Sequence, residues 1–424
     1  MTINEVISFV INNFRSEAWP ITINILIVLS PIFLAIILFV IMWDLWMQYI
    51  RAKNYLKTKR VVLELKLPKE TFKSPLAMET FLNSLHNTAD GSKYAQYWKG
   101  ESRPWYSLEL VSIEGNVKFF IWTEEIRKSN LISALYSQFP EIEVHEAEDY
   151  TRSVHFDPKI TRIWGGEFKF TMADPYPIKT YIDYGLDKDP KEEYKVDPLT
   201  PLIEFLSSVP INQQVWIQIM IRAHKDEQRI PGNFFKTHDA WKEKAIKEVD
   251  KLLLRDSKTK VAGTKDEATG FTKLPSISKG EQDIVAALER SITKHPFDVG
   301  IRALYIAPKD TFNTPFGIGG IVGSMKHFSS PHLNGLKPNS KLWHMKLDNP
   351  WQDFRNYRRN LFSKLALMAY KRRSYFYAPF VSTPLVMNSE ELATIYHFPG
   401  SVSATPGLER VQSKKAQAPT NLPI

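Results

Sequence analysis

The chain has 424 residues, a formal net charge of +9, 43% hydrophobic and 12% aromatic residues, and no cysteine. A chain of this length can bury a sizeable core and divides naturally into two or three modules. The missing thiols exclude disulfides, thiolate zinc sites, iron–sulfur ligation and a cysteine nucleophile, and they suit a cytosolic compartment.

Residues 1–20 form a short lead carrying Glu5, Arg15 and Glu17. From Ala18 to Trp43 there is no charge, and Ile21 to Met42 is almost wholly aliphatic. At about 1.5 Å per residue a helix over that run spans roughly 33 Å, enough to cross a hydrocarbon core of about 30 Å. The pattern predicts one transmembrane helix with its interface over residues 21–50. A cleaved signal peptide fits poorly, since there is no basic n-region and no small-residue cleavage pattern. Trp43, Trp46 and Tyr49 form an interfacial aromatic group, and Arg51, Lys53, Lys57, Lys59 and Arg60 follow it. Against Arg15 alone on the other side, these basic residues predict a single-pass protein of the inner (cytoplasmic) membrane, N-terminus outside and C-terminal body in the cytoplasm.

The next elements read as α+β. Val61–Leu67 alternates as a strand, and Ser74-Pro75 opens a helix with Met78, Phe81, Leu82 and Leu85 on one face. Trp105–Ser112 and Val117–Thr123 flank a hairpin turn at Glu114-Gly115-Asn116. Ile126–Phe139 is helical and Ile142–Ala147 a short strand. The order over residues 60–150 is that of a split βαβ, ferredoxin-like module. A second module over 151–345 takes a strand from Phe168–Met172 or Lys179–Asp183, a helix after Asp197-Pro198, a strand at Gln214–Ala223 and a helix at Asp239–Arg255. It continues through a mobile insertion at 256–277, a helix opened by a Ser278/Glu281 capping box, and a strand at Val299–Ile306. The expected architecture is thus one membrane helix followed by tandem ferredoxin-like modules. Residues 346–398 read as a basic, aromatic helical segment. Residues 399–424, rich in Pro, Ser, Lys and Ala, read as an extended tail with no core of its own.

Motifs for chemistry are weak. Gly317 to Ser324 is glycine-rich, but no lysine follows in Walker spacing, so it reads as a flexible loop. His145-Glu146 would point to opposite faces of a strand, and His327 with His332 offers little more. Asp183, Asp187, Asp189, Glu192 and Glu193 lack the turn and the terminal glutamate of a calcium loop. No catalytic, cofactor-binding or metal-ligating residue is assigned. The stretch Trp351–Arg373 carries seven basic side chains against Asp353 alone, interleaved with Trp351, Phe354, Tyr357, Phe362 and Tyr370. Arg355, Arg358, Arg359, Lys371, Arg372 and Arg373 are the candidate contacts to DNA or to a partner. The bland alternative is an amphipathic helix packing Leu361, Leu365 and Met368 on the body.

Several strings carry a resemblance: Tyr136 to Pro140 with Glu148-Asp149-Tyr150, Pro350 to Asp353, Ala369 to Ser374, and Glu391 to Gly400 leading to Asn421-Leu422-Pro423. They resemble the N-terminal membrane region that precedes the motor in conjugation-type, FtsK/HerA-like DNA-translocating ATPases. The likeness covers roughly residues 20 to 424, and without a Walker motif the ATPase activity is not carried over. It implies a non-enzymatic membrane-anchored adaptor in conjugation or type IV secretion-like DNA transfer. Its partners would be the membrane, an ATPase motor in trans, DNA and further copies of itself. The tail from His397 would couple to the motor. The alternative is a membrane-bound enzyme acting through the glycine-rich stretch or the acidic loop near Asp187.

Overall fold

The computed structural model describes residues 5, 8, 18–68, 73–187, 196–225, 228–230, 233–253, 278–339, 349–400, 407, 408, 410 and 411. The expected insertion at 256–277, the acids Asp189, Glu192 and Glu193, and residues 412–424 lie outside them. The chain divides into two units, Met1–Lys57 with Asp90–Ser102, and Thr58–Ala89 with Arg103–Ile424.

The first unit is built on helix α1 (Ala18–Lys57). Its segment Leu26–Lys57 is long and apolar enough to cross a membrane, and the apolar window is not buried. Pro31 lies inside it, where the ring removes one backbone donor. A single turn of π-helix, Ala95–Lys99, belongs to the same unit and packs on α1.

The second unit is an α+β body on one large sheet. β1 (Arg60–Pro68), α2 (Pro75–Ser84), β2 (Trp105–Ile113), β3 (Asn116–Glu124), α3 (Lys128–Gln138) and β4 (Glu143–Ala147) follow in chain order. They pair antiparallel as β4-β1-β3-β2, the ferredoxin-like arrangement. Glu114 and Gly115 both take positive φ, 54° and 85°, as a tight two-residue hairpin requires. β5 (Thr161–Phe170), α4 (Thr200–Ser207), β6 (Gln214–Ala223), β9 (Pro296–Pro308), α7 (Thr314–Met325) and β10 (Leu336–Pro338) repeat the arrangement as β10-β5-β9-β6. Between β6 and β9 lie the small ribbon β7 (Gln228–Ile230) and β8 (Asn233–His238), then α5 (Ala240–Leu252) and α6 (Lys279–Ile292). The capping box expected at Ser278 and Glu281 is present on α6.

The two halves do not separate into modules. β2 and β6 pair along their whole length, from Trp105↔Arg222 to Ile113↔Gln214, so one sheet runs through both. On one face Leu63, Leu108, Ile217, Ile301 and their neighbours join α2, α3, α4 and α7 in a single apolar core. The other face is covered by α8 (Tyr357–Lys371) and the chain that follows it.

Four expectations need correction. The strand placed at 168–172 or 179–183 is 161–170; Gly165 and Gly166 hide its alternation, and Gly165 leaves room for the Ala366 methyl of α8. Gly317 to Ser324 is no loop but most of α7. Gly317 and Gly320 lie flush under the rings of Tyr305 and Phe205, where a Cβ would collide. Residues 346–398 are not one helical segment: α8 is followed by β11 (Leu385–Asn388), which pairs with β9, and α9 (Ser389–Ile395). Nor is the end from 399 free of the core. His397, Phe398 and Leu408 are buried, and β12 (Arg410–Val411) pairs parallel with β1.

Candidate functional site

On the α8 side of the sheet, four adjacent strands place a polar side chain on one common register line. Register aligns Glu109 of β2 with Gln218 of β6, Gln218 with Arg302 of β9, and Arg302 with Glu167 of β5. All four are buried. Gln218 Nε2 donates to Glu109 Oε1 at 3.0 Å, Arg302 Nη1 to Gln218 Oε1 at 3.4 Å and Arg302 Nη2 to Glu167 Oε1 at 2.7 Å. Ser382 Oγ donates to the second oxygen of Glu167 at 2.9 Å.

Residues from two other places close this row. Arg373, just past α8, donates through Nε to Glu109 Oε1 at 2.8 Å and through Nη1 to Asp149 Oδ2 at 2.7 Å. Tyr150 OH donates to Glu109 Oε2 at 2.9 Å and lies 2.8 Å from Tyr370 OH. Burial works against the charged form of both Asp149 and Arg373, yet attraction prevails: Arg373 holds the Asp149 carboxyl below its ordinary range, and Glu109 followed by Asp149 holds the Arg373 guanidinium above its own. Burial, with Glu109 nearby, pushes both phenols well up, so Tyr150 and Tyr370 stay neutral donors. A buried, hydrogen-bonded charge network of this kind fixes geometry more than it adds stability.

The six basic candidates are therefore not one site. Arg373 is locked in the buried row, and Lys371 Nζ donates to the Val154 carbonyl at 2.5 Å. Arg372 is exposed at this same end of α8. Arg355, Arg358 and Arg359 sit at the other end, about 20 Å away along the helix. There the Asp353 carboxylate caps α8, accepting from the Arg358 and Arg359 amides at 2.8 and 3.1 Å. Arg355 and Asn356 take left-handed φ of 55° and 59° in succession. Around this cap Trp351, Phe354 and Tyr357 are 80%, 77% and 72% exposed, with Arg355 and Arg358 between them. The bland alternative put Leu361, Leu365 and Met368 against the body; instead Ala366, Leu367 and Ala369 pack inward, Leu365 and Met368 are half-buried, and Leu361 is exposed on the side of the aromatic edge.

Of the other candidates, His327, His332 and Asp187 are exposed and three more form ion pairs. His145 meets Glu143 at 3.2 Å and Glu146 pairs with Lys128. Asp183 holds Arg290 at 2.9 Å. No cluster of three or more His, Asp or Glu side chains suited to a metal ion occurs among the described residues. Sequence reasoning missed the polar row altogether. Its signal was there: Glu109, Gln218, Arg302 and Glu167 each stand mid-strand between apolar or glycine neighbours.

Residues 51–409 match the model of a family described as Domain of unknown function (DUF8128). The chain belongs to that family. The matched region holds the sheet except for β12, together with both ends of α8 and the buried row, so these are features of a DUF8128 domain. No curated protein matches the chain. Within the domain, the strings quoted for their likeness to membrane regions of DNA-translocating ATPases supply Asp149, Tyr150, Tyr370 and Arg373 to the row. They also supply the buried Glu391 and His397 and, at Pro350 to Asp353, the exposed Trp351.

Proposed function

We propose that this protein is a non-enzymatic, membrane-anchored adaptor whose body recruits a DNA-translocating ATPase supplied by another chain. The observation that carries the docking role is the exposed edge of Trp351, Phe354, Tyr357 and Leu361 at the start of α8. Large rings left in water on a body with an extensive core mark an interaction surface. Left-handed backbone at Arg355 and Asn356 costs of order 1–3 kcal/mol per residue and holds the rings outward, the kind of strain that gathers at functional positions. The basic run at the end of α1 and just past it supports an inner-membrane protein with this body in the cytoplasm. The nature of the motor rests on the resemblance. The glycine-rich route to an enzyme loses its support, because the stretch is helix rather than a loop and Gly317 and Gly320 lie against aromatic rings.

A second reading, direct DNA contact, is favoured by Arg355 and Arg358 lying among those rings, which suits phosphate contact beside base stacking. One set of purified full-length variants tests both. Trp351→Ala, Phe354→Ala and Tyr357→Ala combined should abolish capture of the DNA-translocating ATPase of the same cell. Arg355→Gln with Arg358→Gln should weaken duplex DNA binding and flatten its salt dependence. Undiminished capture by the aromatic variant removes the adaptor surface from this edge, and unchanged DNA affinity removes the second reading.

A further inference from the structure

The segment Asp90–Ser102 was silent in the sequence reading, yet the structure clamps it to α1 within the first unit. Trp46 Nε1 donates to the Tyr97 carbonyl at 3.1 Å, and Asn54 Nδ2 to the Gly100 carbonyl at 3.2 Å. The Trp43 and Tyr97 rings meet edge to face at 5.6 Å, and the Trp46 and Trp98 rings at 5.7 Å. Gly100 has φ of +71° and presses on the Ile50 carbonyl, where a Cβ would collide. These contacts fix the level of the segment. Trp43 and Trp46 are about 4.5 Å apart along the helix, so Tyr97 and Trp98 lie at the depth where the apolar run of α1 ends.

What the segment presents outward is unlike an ordinary loop. Tyr94 and Trp98 are 65% and 60% exposed. Lys93 and Lys99 stand over the rings of Tyr97 and Tyr94 at 5.9 and 6.0 Å. Tyrosine and tryptophan, apolar in body and polar at one edge, prefer the boundary between hydrocarbon and water, and lysine beside them suits anionic headgroups. The surface also continues directly from the exposed aliphatic side chains of α1, which run through Met42.

We propose that residues 90–102 are a second membrane anchor, seated in the phospholipid headgroup layer beside the point where α1 leaves the bilayer. With Trp43, Trp46 and Tyr49 the segment broadens one aromatic ring-set of a lone helix into a platform that fixes its depth and rotation. The occupant is lipid, because the platform is level with the end of the apolar span. This rests on α1 crossing the membrane.

The absence of native cysteine allows a single environment-sensitive fluorophore at any chosen position. Full-length Lys93→Cys and Lys99→Cys, labelled and reconstituted in phosphatidylcholine–phosphatidylglycerol vesicles, retain every aromatic residue of the platform. Spin-labelled lipid with its nitroxide near the headgroup should quench both labels several-fold more than a label at Glu289→Cys on α6. A label at Leu34→Cys should respond to a nitroxide deep in the acyl chain. Quenching at positions 93 and 99 no greater than at 289, with Leu34→Cys quenched, overturns the second anchor alone. Absence of quenching at Leu34→Cys as well overturns both the anchor and the membrane reading of α1.

Discussion

Glu391 stands in the first turn of α9, one carboxyl oxygen accepting from the Ile178 amide at 2.9 Å and the other from the Asn388 amide at 2.8 Å. Both bonds favour the charged form, but complete burial outweighs them and pushes the carboxyl up to about 8. Unfolded, the same group titrates near its ordinary 4.5. The folded chain therefore binds the extra proton between those values, and stability is fully present below the lower one and lost as pH rises through the upper. His397 points the same way. Burial would lower its pKa, but the Asp197 carboxylate at 3.1 Å and the Ala393 carbonyl at 2.9 Å hold it raised, so its contribution also fades on the alkaline side. Asp197 itself is held low by His397 despite burial, and its contribution is lost on acidification instead. Melting temperature should thus fall from mildly acidic conditions toward pH 8, and Glu391→Gln should flatten that fall. An unchanged slope in the variant would assign the pH dependence elsewhere.

Helix α7 shows how far an element can be read from its residues. Its glycines suggested a loop because glycine costs roughly 1 kcal/mol in a helix relative to alanine. The missing information was tertiary: Gly317 and Gly320 are where Tyr305 and Phe205 lie on the helix backbone, whereas a Cβ on Gly319 or Gly323 meets nothing. Replacement should accordingly split by position. Gly319→Ala or Gly323→Ala should stabilise by up to about 1 kcal/mol, and Gly320→Ala should destabilise, as denaturant unfolding would measure. Equal effects at all three would refute the packing account. By contrast, α2, α3, α6 and the first six elements of the body were legible because local signals agreed with the fold: an N-cap at Ser74, a capping box at Ser278, clean strand alternation. The polar row was not, since no local rule says that four interruptions on four strands share one register line.

At the scale of the whole body, that row crosses the seam between the two halves, and Arg373 binds it from above. Removing the guanidinium leaves the buried Glu109 and the half-buried Asp149 without their cation, a loss of about 3–5 kcal/mol for the broken buried pair with Glu109. Arg373→Met should lower the melting temperature, and circular dichroism and tryptophan fluorescence should still report one coincident transition. Two separated transitions would mean that the halves fold independently. The seam has a further property. Its register is self-inverse: Trp105↔Arg222 and Ile113↔Gln214 stand at equal distances on either side of Glu109↔Gln218, and the strands flanking the seam repeat in the same order outward. A twofold axis through that central pair would superpose one half on the other. The sheet is what two copies of a half-length ancestor would build by joining edge to edge, as an isologous dimer does. In such a dimer position 109 and position 218 would be one residue facing itself. In this single chain the two central positions differ, an acid at 109 facing an amide at 218.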